Sequence, residues 1–246
     1  MKRYDYTIAI PSYQRPEAIQ KKTLATLARA GINIGAVDVW VANSTEADAY
    51  QGAGVEANTL VGAPGIKNAR NAMVNHYVAG QRIVYLDDDI EEIIVRVSEK
   101  IAHPITSFDE EVLQPAWEAC ERSGAKLWGV YPVPNPFFMK EEMTFDLRFC
   151  CGALHGTIND RAVMGVELEE KEDFERTIKS FISTGAVVRL NHISYKQKPY
   201  KNAGGCQDPE RANRSARAAA ELARRFPGYV SPAQAKNGHA QVRLKR

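Results

Sequence analysis

The sequence predicts an α/β protein whose central sheet is parallel in its N-terminal half. Two observations carry this. Short apolar, β-rich runs alternate with helical segments through the first 90 residues, the pattern of consecutive β–α units. The 246-residue chain, 44% hydrophobic and 25% charged, also has the composition of a globular protein with a sizeable core, which excludes a disordered, collagenous or coiled-coil chain.

The elements follow in order. Tyr6 to Ile10 reads as a strand ending at Pro11. Pro16 to Ala30 reads as a helix, with proline at its start and Gly31 just past its end. Val37 to Val41 and Asn58 to Val61 are the next strands, before the Gly62-Ala63-Pro64-Gly65 turn. Ile66 to Val78 is helical, because Ile66, Ala69, Met73 and Tyr77 share one face. Ile83 to Leu86 is a buried strand. Phe108 to Ser123 reads as a helix, Leu127 to Val133 as a strand, and Phe149 to Thr157 and Ala186 to Leu190 as further strands. Glu172 to Ser183 and Gln207 to Phe226 read as helices. Asn191 to Gln207, basic and glycine-containing, reads as a mobile loop.

Four cysteines, two of them adjacent (Cys150 and Cys151), have neither disulfide-framework nor zinc-site spacing. No apolar run approaches the roughly 20 residues that span a bilayer, and Asp5 and Pro11 interrupt any signal-peptide core. The expectation is a soluble cytoplasmic protein. Net charge is only +2, yet from Arg211 onward nine Lys/Arg stand against one acid, Glu221. A basic end on an acidic body suits a polyanionic partner; the alternative is a solvated helix face with a frayed tail.

Ligands of parallel sheets gather at the carboxyl ends of strands, so Ser12 to Arg15, Asn43 to Thr45 and Asp87 to Asp89 are expected to share one crevice. Asp87-Asp88-Asp89 follows an apolar strand directly. Strand alternation would point Asp87 and Asp89 the same way, and clustered carboxylates call for a hard divalent cation, Mn²⁺ or Mg²⁺. A polar turn is the plainer alternative. Lys67 and Arg70 open a helix suited to a diphosphate. Pro11, Ser12, Tyr13 and Arg15 offer a turn, a hydroxyl, a ring and a guanidinium to a nucleobase. Acids at the start of the Glu172 helix suit its dipole, but Asp173, with Glu172 second, is also a candidate general base. His192 is a candidate further metal ligand. Lys196, Lys198 and Lys201, interleaved with Tyr195 and Tyr200, are candidates for phosphate or nucleic-acid contact, as are Arg211 and Arg214 in the basic segment.

The order Ile-Pro-Ser-Tyr-Gln-Arg-Pro, Lys-Asn-Ala-Arg-Asn, Leu-Asp-Asp-Asp and Glu-Asp-Phe-Glu resembles the GT-A glycosyltransferases over roughly residues 5 to 205. That resemblance implies a Rossmann-like α/β/α sandwich with a mixed sheet, and a nucleotide-sugar donor. It makes Asp87 and Asp89 the DxD motif, with Asp88 beside them at the donor, and Asp173 the catalytic base of an inverting enzyme. It divides one domain, 1–246, into a donor half (1–100), an acceptor and catalytic half (101–205) and a basic C-terminal helix and tail (206–246). A narrower resemblance is to the phage glycosyltransferases associated with TET/JBP-type base hydroxylases. It implies transfer from a UDP-sugar, UDP-glucose first, to 5-hydroxymethylcytosine or 5-hydroxymethyluracil in double-stranded DNA. It rests on the opening motif, Gly204-Gly205 and the arginine-rich helix. The Pro132 to Phe138 stretch, rich in proline and aromatics, is then either a platform for a flipped base or a rigid surface loop. Rival readings are a glycan or small-molecule acceptor, a nucleotidyltransferase (which lacks an evident glycine-rich triphosphate loop here) and a non-catalytic nucleic-acid-binding relic.

Overall fold

A computed structural model describes residues 3–197, 210–235 and 240–245. The strands are β1 (Thr7–Pro11), β2 (Val37–Val41), β3 (Asn58–Val61), β4 (Arg82–Leu86), β5 (Ile90–Arg96), β6 (Ala102–Pro104), β7 (Leu127–Val130), β8 (Met143–Thr144), β9 (Leu154–Ile158), β10 (Val188–Leu190), β11 (Ile193–Gln197), β12 (Val230–Gln234) and β13 (Ala240–Leu244). Helix α1 runs continuously through Pro16–Ile19, a π-helical Gln20–Leu24 and Ala25–Arg29. It is followed by α2 (Ser44–Gly52), α3 (Ile66–His76) and α4 (Asp109–Leu113, also π-helical, then Gln114–Ser123). The last three are α5 (Arg161–Met164), α6 (Glu172–Thr184) and α7 (Arg211–Arg225).

Eight strands form one sheet in the order β3-β2-β1-β4-β9-β7-β10-β8. The first four are mutually parallel; β9 runs antiparallel to both β4 and β7, and β8 antiparallel to β10. The predicted parallel half is therefore present within a mixed sheet. Side chains alternate across each strand, so both faces are apolar and both are covered. Leu27 of α1 and Val112 and Trp117 of α4 pack with Ile10, Val39 and Trp128 on one face. Met73 of α3 packs with Ile83 and Tyr85 on the other, beside Val163 and Met164 of α5. The result is an α/β/α sandwich, with β11-β5-β6 as a second sheet whose Ile93 and Ile193 join the first core.

Several elements differ from expectation. The predicted strand from Phe149 begins only at Leu154, because the preceding residues turn toward α6. The segment expected to be a loop from Asn191 contains β11, paired antiparallel with β5; Tyr195 faces Ile93 and Lys196 faces Glu92 on that ladder. The expected C-terminal helix is α7 where described, and the described part of the tail forms β12 and β13, paired antiparallel, rather than frayed chain.

One glycine is fixed by close approach. Gly156 on β9 sits opposite Trp128 of β7, and a Cβ there would lie 2.2 Å from the indole Nε1. Both strands are interior to the sheet, so neither yields. Gly156→Ala is expected to destabilise the fold by about 3 kcal/mol, read as a lowered urea midpoint.

Candidate active site

The site is built at the carboxyl ends of β1 and β4, where they lie side by side. Asp87 extends the β4 ladder by one bond, its N–H donating to the Ala153 carbonyl at 2.9 Å. Asp88 and Asp89 then turn before β5 begins. This turn is why strand alternation fails here. Asp87 faces Arg70 (Nη2 to Oδ1, 3.3 Å), whereas Asp88 and Asp89 both face Arg15, whose Nη1 is 3.0 Å from Asp88 Oδ1 and 4.0 Å from Asp89 Oδ2. Thr23, in the π-helical part of α1, pins the turn from below. It donates to the Asp87 carbonyl (2.7 Å) and accepts from the Ile90 N–H (2.9 Å).

The loop after β1 closes on the same turn. Ser12 Oγ donates to Asp88 Oδ2 at 2.6 Å, and the Tyr50 hydroxyl of α2 lies 2.6 Å from Ser12 Oγ and accepts from the Arg15 N–H at 3.1 Å. Pro11 ends β1, and Tyr13 stands 41% exposed, its hydroxyl accepting from Gln14 Nε2 at 3.1 Å. Asn43 caps α2, accepting from the Glu46 N–H at 2.9 Å, so its side chain is engaged in the fold. Lys67 lies 3.8 Å from Glu169.

Arg70 joins the two halves of the site. It is 3% exposed, and its Nη2 donates to the Gly152 carbonyl (3.1 Å) as well as to Asp87. The Gly152 N–H donates to Asp173 Oδ2 (3.2 Å), and the Phe174 N–H to Asp173 Oδ1 (2.9 Å). A Cβ on Gly152 would lie 3.4 Å from Glu172 Oε1. Thus Asp87, Arg70, Gly152, Glu172 and Asp173 converge, although they are far apart in sequence. Beneath them His155 is fully buried and stacked on Tyr85 with centroids 4.9 Å apart. Burial, then Arg176 and Arg70, push it well down, so it is a neutral ring whose Nδ1 faces the Gly152 carbonyl at 3.1 Å.

Charge explains the titration of the site. Loss of solvent is the largest influence on Asp87, followed by opposition from Arg70 and repulsion from Asp88, Asp89 and Glu172; the net result is about 6. Asp89 is also raised, by burial and then by Asp88. Glu172 is raised by burial and then by Asp173, while Asp173 is raised by burial against the pull of Arg176. Carboxylates raised on folding favour the folded state fully below their unfolded range near pH 4, and that contribution is lost as pH rises through the folded values. Glu172→Gln is therefore expected to raise the Tm of the metal-free protein at pH 8 and to leave it little changed at pH 4, in paired thermal melts.

Among the described non-glycine residues, only Gln14 (φ 56°) and Lys171 (φ 60°) adopt left-handed backbone. One lies in the loop that presents Ser12 and Arg15; the other immediately precedes Glu172. Strain of this kind persists where surrounding structure enforces it, and it clusters at functional sites.

Other expectations are corrected. His192 lies beside Arg96, whose N–H donates to its carbonyl at 2.8 Å, at the opposite end of β5 from Asp89. Seven residues of strand separate them by roughly 20 Å, so His192 does not share a site with Asp89. Tyr195 is buried, its hydroxyl donating to Cys151 Sγ at 3.1 Å under the site rather than over it. Lys196 pairs across the ladder with Glu92. Arg211 and Arg214 both pair with Glu170. Lys198, Lys201 and Gly204-Gly205 lie outside the described residues.

Asp87 and Asp89 offer the oxygen donors that a divalent metal takes, although they face different guanidiniums, Arg70 and Arg15. Among the described residues no three His, Cys, Asp or Glu side chains converge as ligands, so phosphate oxygens would complete the shell, as is usual for such ions. Thr23, Tyr50 and Arg176 escaped the sequence reading. For Arg176 a signal existed, since it follows Glu172 by four residues and Asp173 by three, on one helix face.

No family model matches the sequence, and no curated protein matches it. Solved structures do. TarS 1–349 of S. aureus in complex with UDP-GlcNAc is 15% identical over 89% of this chain and 67% of that one, with a TM-score of 0.54. The mannosyltransferase PcManGT from Pyrobaculum calidifontis, in complex with GDP-Man and Mn²⁺, is 13% identical over 92% and 64%, at 0.58. Glucosyl-3-phosphoglycerate synthase from Mycobacterium tuberculosis, in complex with phosphoglyceric acid, is 12% identical over 92% and 83%, at 0.53. The chain spans about two thirds of the length of the first two. The fold is that of the GT-A glycosyltransferases.

Proposed function

We propose that the chain is a metal-dependent, inverting glycosyltransferase that moves a sugar from a UDP-sugar, glucose first among them, to an acceptor hydroxyl. The observation that carries this is the bridge through Arg70 and Gly152, which ties Asp87, on the donor side, to Asp173 on the acceptor side. The neighbours crystallised with UDP-GlcNAc and with GDP-Man and Mn²⁺ support a nucleotide-sugar donor.

In this reading Tyr13 and Ser12 face the nucleobase end of the donor, and Asp87 and Asp88 face its ribose and diphosphate. A divalent ion on Asp89 and Asp87 would supply positive charge for the departing diphosphate. Asp173 takes the proton from the acceptor hydroxyl as its oxygen attacks the anomeric carbon. The bond from that carbon to the diphosphate breaks, UDP leaves, and the proton remains on Asp173. The Gly152 and Phe174 N–H groups fix both oxygens of the base before the reaction.

The acceptor in this reading is the hydroxymethyl group of 5-hydroxymethylcytosine or 5-hydroxymethyluracil in DNA, supported by the sequence resemblance and the basic C-terminal segment. A glycan or small-molecule hydroxyl is the second reading. It is favoured by the engagement of Arg211, Arg214 and Arg225 with Glu170, Glu167 and Glu175 of the chain itself. The test is mass spectrometry of nucleosides digested from hydroxymethylated duplex after incubation with UDP-glucose and Mn²⁺. A hexose on the modified base supports the DNA acceptor. UDP release with unmodified nucleosides moves the acceptor to the second reading.

A further inference from the structure

We propose that the C-terminal arginine helix α7 is a positioning device for the base, acting through a clamp of Arg211 and Arg214 on Glu170; this rests on the assignment of Asp173 as base. Arg211 Nε lies 3.3 Å from Glu170 Oε2, and Arg214 Nη2 lies 3.4 Å from Glu170 Oε1. The two arginines are three residues apart and so share one helix face. The Glu170 side chain is only 12% exposed, which makes this pairing more than a screened surface contact.

Glu170 stands three residues before Asp173, and Lys171, the left-handed residue, lies between them. A left-handed lysine is unfavourable in isolation, so the chain on both sides must hold it. The C-terminal region supplies that hold from several directions. Lys171 Nζ donates to Gln241 Oε1 of β13 at 3.2 Å. Arg225 lies 3.1 Å from Glu167 and 3.2 Å from Glu175, which flank the Glu172–Asp173 pair. Glu175 Oε2 also accepts from the N–H groups of Glu167 and Leu168, at 2.9 and 3.0 Å. Beneath these charges Ile178 and Phe174 of α6 pack with Leu222, Val230 and Val242. The base thus sits on a first helical turn whose approach is held by α7 and by the paired strands β12 and β13. Arginines that the sequence assigns to an external polyanion are turned inward onto the segment that carries the chemistry.

The test compares Arg211→Ala/Arg214→Ala, Arg211→Lys/Arg214→Lys, Glu170→Gln and Ala220→Ser, at an exposed, uncharged position on α7. The rate measured is UDP release from UDP-glucose with Mn²⁺ and hydroxymethylcytosine duplex. The double alanine variant and Glu170→Gln should lose about 10- to 100-fold in kcat with the UDP-glucose KM unchanged. The lysine pair should recover part of that loss, and Ala220→Ser should match the parent. Hydrogen exchange at Lys171 to Thr177 should quicken in the double alanine variant while β1 and β4 stay protected, a readout independent of donor and acceptor. Unchanged exchange there overturns the proposal. So does a loss confined to the KM for DNA, which would return these arginines to DNA binding. An inactive Asp173→Asn beside a fully active double variant overturns the clamp and leaves the base intact; an active Asp173→Asn overturns both.

Discussion

Asp173→Asn is expected to lower the rate of sugar transfer by about 10²- to 10⁴-fold, the usual contribution of a positioned general base, while UDP-sugar affinity survives. The substitution keeps the side chain's shape. It also keeps an oxygen to accept from the Gly152 or Phe174 N–H, at 3.2 and 2.9 Å in the parent. What it removes is the capacity to take a proton. Asp173 lies across Gly152 from Arg70 and Asp87, which is the acceptor side in the proposed mechanism, so donor binding is expected to survive. Steady-state kinetics and UDP titration of the same preparation separate the two effects. The pH profile adds a signed expectation. Burial raises Asp173 above the usual aspartate range, and the base works ionised, so kcat is present above that raised value and falls as pH drops through it. The acid limb should therefore lie above the usual aspartate range and be absent from the residual rate of Asp173→Asn.

Asp89→Asn, or removal of divalent metal with EDTA, is expected to cost both donor affinity and rate. Asp87, Asp88 and Asp89 crowd three carboxylates into one turn against two guanidiniums, Arg15 and Arg70. Asp88 has both oxygens engaged, by Ser12 and Arg15, whereas Asp87 meets Arg70 through one oxygen and Asp89 stands 4.0 Å from Arg15, so these two keep more capacity for a cation. Without that cation the diphosphate meets uncompensated negative charge. Calorimetric titration of UDP should show binding with Mn²⁺, little binding after EDTA, and recovery on adding Mn²⁺ back to the parent but not to Asp89→Asn. UDP binding indifferent to metal would remove the metal from the account.

Much of the crevice at the ends of β1 and β4 was legible in the sequence because its parts are local. The strands that end at Pro11, Val41 and Leu86 are apolar runs followed at once by polar residues, and parallel β–α order alone predicts that their ends meet. Ser12 and Arg15 do meet Asp88. The directions of the three aspartates were not legible. They depend on the chain turning after Asp87 to start β5, a strand that the carboxylates of Glu91 and Glu92 disguise. The floor of the site was hidden for a similar reason. Gly152, His155 and Arg176 matter through contacts set by the antiparallel insertion of β9 between β4 and β7, and no spacing in the sequence announces that strand order. The basic C-terminal segment was visible as charge, but charge counts do not say which acids lie opposite. Glu167, Glu170 and Glu175 answer part of it from within the chain. His192 failed as a ligand because β5 and β11 form a ladder that carries it away from Asp89.

The most direct measurement is UDP release from UDP-glucose with Mn²⁺, in the presence of duplex DNA with and without 5-hydroxymethylcytosine. The account predicts release that requires the metal, is accelerated by the hydroxymethylated duplex, and disappears in Asp173→Asn. Absence of release from UDP-glucose and UDP-GlcNAc under every one of these conditions, or release that Asp173→Asn leaves intact, would contradict it.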